Sequence, residues 1–387
     1  MNSIVASLAD YRIEEAQTLM TPALAIYADA VDHNIRSTLR VLGDVNRWRP
    51  HIKTVKLAYV IRRLVEYGVE NMKCATTLEL LTACEAGARD VLLAYPLPAP
   101  AAARTIDIAA AFPNTTISAL IENPSQISLW AGTNTGLFID LNSGMNRTGM
   151  QTHDLQQIVG IAREILRSGL RFRGLHHYEG HLTQADPTER TTAAHAGYSV
   201  LMSIVDALQS SGIDVEEVIT SGTPALPCAL AYEPFRSASF VHRVSPGTIV
   251  YNDWSSLEQL PAEYGFRPAA VVLTSVVSNP APDLATCDAG HKTVSADAGM
   301  PNCAVLGNAS VQPLRPSEEH LPLLLSSGSS LALGSQLYLV PKHVCPTVNN
   351  FDHALIVSGG RVVAIEAVTA RGRELPMRHS SQLAVSP

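Results

Sequence analysis

From residue 22 onward the chain alternates short β-branched runs with helical patterns, and this alternation constrains its fold more than any other feature. The runs recur roughly every 25 to 40 residues, which is the spacing that βα units produce. About eight parallel strands with intervening helices predict a TIM-like (β/α)8 barrel over residues 22–261, although an open doubly wound sheet has a similar strand count. The expected strands are ALAIY (23–27), the stretch before Lys53, ENMKCA (70–75), DVLLAY (90–95), TISALI (116–121), GLFIDL (136–141), RGLHHY (173–178) and VEEVIT (215–220).

The rhythm changes after about residue 262, where β-rich runs follow one another without a long amphipathic helix. The last of them, HALIVSGGRVVAIEAV, contains a two-glycine hairpin signal between β-branched runs. We therefore expect a second, mostly antiparallel β domain over residues 262–387, with residues 1–21 packing on it.

The composition of the chain argues against several classes of binding partner. A net charge of −7 and the lack of a basic run argue against nucleic acid. No long charge-free apolar run and no signal-peptide pattern occur, so a cytoplasmic protein without a membrane segment is expected. The six cysteines are too sparse for a disulfide framework, and we expect most to be reduced thiols.

Two lysines in RPHIKTVK (49–56) are the first candidates for chemistry. A lysine at the end of a barrel strand, such as Lys53, points into the face where barrel active sites are built. Burial there lowers the pKa of an amine and makes it nucleophilic. Alternatively, Lys53 and Lys56 are a solvated surface pair.

A second candidate is PKHVCPTVNNFDHA (341–354). His343 and Cys345 are two residues apart, so on an extended strand both side chains would project to one face. Imidazole and thiolate are ligands suited to zinc. Alternatively, the cysteine is buried beside a structural histidine.

A family resemblance connects these segments. TPALAIYADAVDHNIR followed by RPHIKTVK resembles the opening of fold-type III pyridoxal-phosphate (PLP) enzymes, which have an alanine racemase-like fold, in the D-threonine aldolase and D-serine dehydratase group. The resemblance implies that Lys53, and not Lys56, forms the Schiff base with PLP. His51 and Arg49 would then shape the strand end around it.

Two further segments resemble cofactor-contacting parts of this family. FIDLNSGMNRTGM (138–150) implies that Arg147 lies beside the phenolic oxygen of PLP, where a planar, permanently charged guanidinium stabilises a phenolate. GLHHYEGH (174–181) implies that Tyr178 lies over the active site. The neighbouring His177 and His181 are expected to contact the substrate at most, with His177 as a candidate general base.

Two glycine-containing loops, TSGTP (220–224) and SPGTIVYND (245–253), are candidate phosphate sites, because glycine lets the backbone approach an anion. They lie after the seventh and eighth strand positions of such a barrel, where barrels commonly bind phosphate. Alanine racemases have an arginine at the position of Ser245, and its absence makes racemase activity less attractive. The expected cofactor contacts are Ser221, Gly222, Thr223, Ser245, Gly247, Thr248 and Tyr251.

The segment around His343 and Cys345 resembles the C-terminal metal motif of the same enzymes, which is usually His-x-Asp in the aldolases and His-x-Cys in the dehydratases. It implies a divalent metal, zinc or manganese. SEEH, with Glu318, Glu319 and His320, also resembles the aldolases, without an assigned role.

The resemblance implies a PLP- and metal-dependent lyase that cleaves the Cα–Cβ bond of a β-hydroxy-D-amino acid to glycine and an aldehyde. Dehydration to an oxo acid and ammonia is the alternative, and Cys345 favours it, whereas the rest of the chain resembles the aldolases. A general base for cleavage would be His177 or a metal-bound hydroxide, and in dehydration Lys53 would remove the Cα proton. The family further implies a homodimer with a shared active site.

Two other classes of function can use the same barrel, and the sequence disfavours both. A PLP carrier without turnover would consist of the barrel alone, which the β-rich second half and its metal motif disfavour. A cofactor-free binding module would leave the match around Lys53 unexplained.

Overall fold

The computed structural model describes residues 8–376 and contains one parallel and one mostly antiparallel sheet. In chain order the strands are β1 (Ala23–Tyr27), β2 (Asn71–Cys74), β3 (Asp90–Pro96), β4 (Thr116–Ile121), β5 (Gly136–Asn142), β6 (Met150–Gln151), β7 (Arg171–His177), β8 (Glu217–Thr220), β9 (Val241–Val244), β10 (Ala270–Ala281), β11 (Leu284–Cys287), β12 (Cys303–Val305), β13 (Val311–Pro313), β14 (Leu321–Leu325), β15 (Gln336–Pro341), β16 (His353–Ser358) and β17 (Arg361–Ala367).

The α-helices lie mainly between the parallel strands. They are α1 (Ala28–Leu42), α2 (Ala58–Glu66), α3 (Thr77–Glu85), α4 (Ala99–Ala111), α5 (Leu155–Arg167), α6 (Pro187–Ser210), α7 (Leu226–Ala231), α8 (Trp254–Gln259) and α9 (Val344–Asn349). Helix α1 illustrates why they form: Val31, Ile35 and Leu42 fall on one buried face, and Gly43 ends the helix at φ 73°.

The parallel strands close into a barrel. Strands β2, β3, β4, β5, β7, β8 and β9 are neighbours in that order, and β6 pairs with β5. The segment at residues 48–51 closes the ring, because Trp48 bridges Val244 of β9 and His51 bridges Lys73 of β2. The predicted alanine racemase-like barrel, including a strand before Lys53, is confirmed.

One expected strand lies elsewhere, and one barrel strand was missed. β1 pairs with β10 and β16 of the antiparallel sheet, so it does not open the barrel as expected. A fully buried strand followed by a helix has the same pattern in either sheet. The eighth barrel strand is instead β9, a four-residue segment too short for a clear pattern.

The second sheet runs in the order β13, β14, β11, β10, β1, β16 and β17, with β15 pairing β10 and β12. All its pairs are antiparallel except β1 with β16, which confirms the expected β-rich second half. Gly359 and Gly360 connect β16 and β17 with φ 55° and 78°, so the predicted hairpin is present. The boundaries of the two domains remain a prediction. Residues 1–7 and 377–387, which were assigned to the second domain, lie outside the described residues.

An ionic cluster fills the end of the barrel where the strands begin. Arg49 forms a bidentate pair with Glu217, at 2.7 and 2.9 Å, and its guanidinium also bonds Asp90 at 2.9 Å. Arg173 donates to Asp90 at 2.9 Å and to Glu217 at 3.1 Å, and Arg243 pairs with Glu217. The expectation that Arg49 shapes the strand end around Lys53 is therefore wrong: four residues earlier on its strand, Arg49 points to the opposite end of the barrel.

Within residues 8–376 no helix has both the length and the apolar character needed to cross a membrane. Five cysteines are buried and only Cys345 is partly exposed, and all six are free thiols.

Candidate active site

The two lysines of the RPHIKTVK segment have different surroundings. Lys53 is partly buried, and its Nζ lies 6.0 Å from the centroid of the Tyr178 ring. Lys56 is buried and forms an ion pair with Glu79 at 2.9 Å, and its Nζ also donates to Ala370 O at 3.2 Å. Lys53 is therefore the lysine that faces the cleft, whereas Lys56 fastens its loop to the barrel wall and to the C-terminal segment.

Three basic side chains surround the ring of Tyr178. Its centroid lies 5.2 Å from Cζ of Arg147, 5.4 Å from Nζ of Lys73 and 6.0 Å from Nζ of Lys53. Since Arg147 is exposed and Tyr178 is only partly buried, the ring borders a space open to ligands. An aromatic face ringed by positive charge suits a planar anion.

The two glycine loops carry buried hydroxyl groups without partners. Among the described residues, the side-chain oxygens of Ser221, Thr223 and Ser245 are buried and accept or donate no hydrogen bond. Ser221 has φ 57°, and its N–H donates to Oε2 of Glu179 at 3.1 Å, which fixes the loop while its hydroxyl stays without a partner. A Cβ on Gly222 would lie 2.9 Å from the Tyr178 ring, so only glycine lets this loop pass beneath it. The loops therefore fit a phosphate.

The second glycine loop also braces the lysine segment. A Cβ on Gly247 would lie 2.0 Å from the carbonyl oxygen of His51, so the two backbones touch. The hydroxyl of Tyr251 donates to Val55 O at 2.9 Å. Its only proton is thus occupied, and the expectation that Tyr251 contacts the phosphate is not supported. It fixes the Lys53 loop instead.

The two histidines expected near the substrate, His177 and His181, occupy different places. Because successive strand residues point to opposite faces, His176 points into the barrel and His177 points out of it. His177 is buried against α6, its ring centroid 6.0 Å from that of Tyr198. Its predicted role as a general base is therefore wrong on position. His181 is exposed beside the Arg147 loop, with Nε2 3.4 Å from where a Cβ on Gly144 would lie.

His51 lies at the base of the Lys53 loop, where the backbone N–H of Lys53 reaches its Nδ1 at 3.4 Å. Burial lowers the pKa of His51 well below its usual value, and the charges of Lys53 and Lys73 lower it further. His51 is therefore a neutral imidazole at neutral pH.

The metal motif lies at a strand-to-helix junction rather than on a strand as expected. His343 is the extended residue before α9, and Cys345 belongs to the first turn of that helix, where Pro346 follows it. Cys345 reaches the lysine loop, with Sγ 3.0 Å from Oγ1 of Thr54, and Sγ also lies 3.8 Å from Oγ1 of Thr248. This contact joins the second sheet's motif to the barrel cleft within one chain.

The protonation of this pair suits metal binding. Burial would raise the pKa of the Cys345 thiol, but its hydrogen bond and charge interaction with His343 lower it below its usual value. The pKa of His343 is raised to about 9, because Cys345 and Asp297 outweigh the opposing effect of burial. The lowered pKa favours the thiolate form of Cys345, which is the form that binds a metal.

Asp297 is a site residue that the sequence did not reveal. Its Oδ2 lies 2.6 Å from Nδ1 of His343, which leaves Nε2 of His343 for a metal. This carboxylate–histidine arrangement orients a metal ligand from outside the coordination shell. No group of three or more histidine, cysteine, aspartate or glutamate side chains placed to hold a metal occurs in residues 8–376, so protein ligands beyond His343 and Cys345 are not apparent there.

A second missed group lies inside the barrel. Nζ of Lys73 is 3.2 Å from Nε2 of His176, whose Nδ1 is 2.7 Å from Oδ1 of Asp140. All three side chains are almost fully buried. No sequence pattern indicates them, because their positions on β2, β5 and β7 come together only when the barrel closes.

The SEEH segment lies apart from these groups. Glu318 and Glu319 are exposed and pair with Lys292 at 2.7 and 3.0 Å, and His320 is exposed. They form a surface loop before β14.

Two known protein families match different halves of this chain. Residues 26–253 match the family model described as alanine racemase, N-terminal domain, and residues 269–357 match a serine dehydratase domain. A 3-hydroxy-D-aspartate aldolase of Paracoccus denitrificans is 29% identical, covering 92% of this chain and 93% of its own. A D-threonine aldolase of Arthrobacter is 26% identical, covering 91% and 93%, respectively.

Solved structures show the same architecture. D-threonine aldolase from Filomicrobium marinum superposes with a TM-score of 0.84 at 27% identity, covering 92% of this chain and 97% of its own. D-threo-3-hydroxyaspartate dehydratase from Delftia has a TM-score of 0.77 at 23% identity, covering 93% and 99%, a likeness of fold alone. Since the model that matches residues 26–253 spans more than half of the chain, this protein belongs to the alanine racemase N-terminal domain family.

Proposed function

We propose that this protein is a PLP- and divalent-metal-dependent lyase that cleaves the Cα–Cβ bond of β-hydroxy-D-amino acids, giving glycine and an aldehyde. One observation carries the proposal: the cofactor-type lysine loop and the histidine–cysteine pair meet in one cleft, where Cys345 touches Thr54, the residue after Lys53. The named aldolases among the relatives, which align over more than nine tenths of the chain, support the reaction class.

The residues present fit PLP. Lys53 supplies the amine, and the orphaned hydroxyls of Ser221 and Thr223 supply donors for a phosphate. Tyr178 offers a face for the ring, and Arg147 is placed to neutralise an anionic oxygen. Ser245 replaces the arginine expected of a racemase, so no permanent cation faces the ring from that position.

The residues present also fit a divalent metal. His343 Nε2 and Cys345 Sγ are the available ligands, and Asp297 fixes the ring of His343. The structure of a cysteine-to-alanine variant of a D-threo-3-hydroxyaspartate dehydratase is described as a metal-free form. This description supports metal binding by the same fold in this chain. A borderline-soft thiolate with imidazole favours zinc over manganese.

In this site PLP supplies an electron sink for the carbanion at Cα, and the metal lowers the pKa of the β-hydroxyl. The chain's own residues hold the substrate between these groups. His343 and Cys345 face the side of the cleft next to Lys53, which fixes where a β-hydroxyl binds relative to Cα. Neutral His51, beside Lys53, replaces His177 as the imidazole able to take part in proton transfer.

Dehydration to an oxo acid and ammonia is the second candidate, and one observation favours it. The ligand beside His343 is a thiol, as in the dehydratases that the motif resembles. A D-threo-3-hydroxyaspartate dehydratase of Delftia is 24% identical over 86% of this chain. Cleavage remains the proposal because relatives named aldolases are more similar.

We also propose that the protein acts as a homodimer in the cytoplasm, with each cleft completed by the partner subunit. This part rests on the resemblance to fold-type III enzymes. Sedimentation at micromolar concentration would test it, with a dimer of twice 41.4 kDa expected and a monomer contradicting it.

The function is tested with purified protein supplied with PLP and Zn²⁺ or Mn²⁺. We expect consumption of D-threonine and 3-hydroxy-D-aspartate, but not of the L-enantiomers, and loss of activity on chelation. Lys53→Arg is the matched variant, because it keeps the positive charge but cannot form an imine. A variant that keeps both the visible absorbance and turnover would refute Lys53 as the cofactor lysine.

A further inference from the structure

A second lysine, Lys73, lies in the same cleft as Lys53 and has no part in the function proposed above. Its side chain is almost fully buried, with 2% of the residue exposed, and its Nζ is nearer to the Tyr178 ring than that of Lys53, at 5.4 against 6.0 Å. Lysine is seldom buried so completely unless it is paired. Lys73 therefore needs an explanation of its own.

Its partners form a hydrogen-bonded chain with a defined direction. The pKa of Asp140 is lowered although burial alone would raise it, because His176 bonds to it, so Asp140 is ionised at neutral pH. His176 must then donate from Nδ1 to Asp140, which leaves a lone pair on Nε2. Lys73 donates to that lone pair at 3.2 Å whether its amine is neutral or charged.

Burial and the charges around Lys73 bring its pKa close to neutral pH. Burial lowers the pKa of Lys73 to about 7, and the charges of Lys53 and Arg49 act in the same direction. Glu179 and Asp140 oppose them. His51, His176 and Tyr178 also face Lys73, and Arg147 lies over the same Tyr178 ring.

We propose that Lys73, His176 and Asp140 form a proton relay that accepts the proton which the substrate ammonium must lose before its nitrogen can take the place of Lys53. This inference rests on the proposed function in one respect, that Lys53 holds the cofactor. In the step, the lone pair of Lys73 Nζ forms a new N–H bond, and the N–H bond of the substrate ammonium breaks. The electron pair stays on the substrate nitrogen, and nothing is oxidised or reduced.

The relay returns the proton when Lys53 takes back its place on the cofactor and the product leaves as an ammonium. His176 and Asp140 act by position, because the ionised Asp140 keeps the lone pair of His176 directed at Lys73 and stabilises the ammonium that forms. The structural alternative is that Lys73 is simply a counter-charge for buried Asp140. The two accounts differ in what an arginine at this position would do.

The first test measures the rate at which D-alanine replaces Lys53 on the cofactor. Stopped-flow absorbance of the PLP-loaded protein monitors this exchange at pH values from 6 to 9. D-Alanine has no β-hydroxyl, so neither cleavage nor dehydration follows. In the wild type we expect the rate to rise with an inflection near pH 7. Lys73→Met and Lys73→Arg should both be about 100-fold slower at pH 7 and lack this inflection, because neither side chain can accept a proton.

Lys73→Arg is the decisive variant, since it keeps the charge and a donor for His176. A wild-type rate and pH profile in Lys73→Arg would show that Lys73 is only a counter-charge and would overturn the relay. A wild-type profile in Lys73→Met would overturn any role of Lys73 in exchange.

A second test needs no cofactor. Lysine-selective NMR of the PLP-free protein, with Lys73 assigned from its absence in Lys73→Arg, follows the titration of Nζ directly. We expect titration near pH 7, moving to lower pH in Asp140→Asn, because that change removes an anion that stabilises the ammonium. Titration above pH 10 would overturn the relay. A wild type that binds no PLP would instead contradict the proposed function, while this titration would still decide the state of Lys73.

Discussion

Oγ1 of Thr54 lies 3.0 Å from Sγ of Cys345, although the two residues are 291 positions apart in the chain. Thr54 follows the lysine that faces the barrel cleft, and Cys345 belongs to the first turn of a helix attached to the antiparallel sheet. The contact places the Lys53 amine and the His343–Cys345 pair on one side of a single cleft. Our account of the function depends on this convergence.

The thiol at this contact should be needed for metal and not for PLP. Cys345→Ala removes one of two visible ligands, so we expect bound metal to fall below one tenth of the wild-type content after dialysis, measured by elemental analysis. The visible absorbance of the PLP-loaded protein should persist. Cys74→Ala, which alters a buried barrel thiol, is the control. Unchanged metal content in Cys345→Ala would show that the thiol is not a ligand.

Asp297 should tune metal affinity without binding the metal. Asp297→Asn keeps the shape of the side chain but weakens the orienting bond to Nδ1 of His343, and loss of such outer partners typically lowers metal affinity roughly 10- to 100-fold. Competition with a chromogenic chelator measures the change. A metal affinity equal to that of the wild type would show that Asp297 does not contribute to metal binding.

The orphaned hydroxyls should recognise the phosphate group specifically. Ser221→Ala together with Thr223→Val removes two donors, and hydrogen bonds to charged groups contribute about 1.5–3 kcal/mol each. We expect PLP to bind at least about 100-fold more weakly. Pyridoxal, which lacks the phosphate, is the matched ligand and should bind the variant and the wild type equally. Equal weakening of both ligands would indicate a distorted fold.

The ionic cluster at the other end of the barrel should support stability rather than chemistry. Arg173→Met leaves Asp90 and Glu217 short of a buried partner, so we expect a loss of about 3–5 kcal/mol in the free energy of unfolding at pH 7. Burial alone would raise the pKa of Asp90, but Arg49 and Arg173 hold it below its usual value.

The pH dependence of this effect has a definite sign. Since the pKa of Asp90 is lower in the folded state, its contribution is present above about pH 4 and is lost as the pH falls through the folded-state pKa. The wild type should therefore lose stability below about pH 4 more steeply than Arg173→Met, as measured by urea unfolding at several pH values. Parallel pH curves would contradict this.

The sequence predicts those parts of this structure that are local. The periodicity of α1 and the paired glycines before β17 need no distant contacts, and RPHIKTVK is one continuous segment. His177 was misjudged because strand register decides which of two adjacent histidines faces the lumen, and no pattern in HHY distinguishes them. Lys73 and Asp297 were missed because their partners His176 and His343 meet them only through tertiary structure.

The position of β1 has the same kind of cause. Its residues are equally suited to the core of a barrel or of a second sheet, and only pairing with β10 and β16 decides between them. Arg49 is a related case, since its distance from Lys53 in sequence is short but the two side chains serve opposite ends of the barrel.

The most direct test of the proposed function is product analysis with D-threonine, in the presence of PLP and Zn²⁺ or Mn²⁺. Both fates are assayed in the same reaction, by amino-acid analysis and by derivatisation of carbonyl products. The account predicts glycine and acetaldehyde in equal amounts. Formation of 2-oxobutanoate and ammonia would contradict Cα–Cβ cleavage and would make Cys345 the mark of a dehydratase.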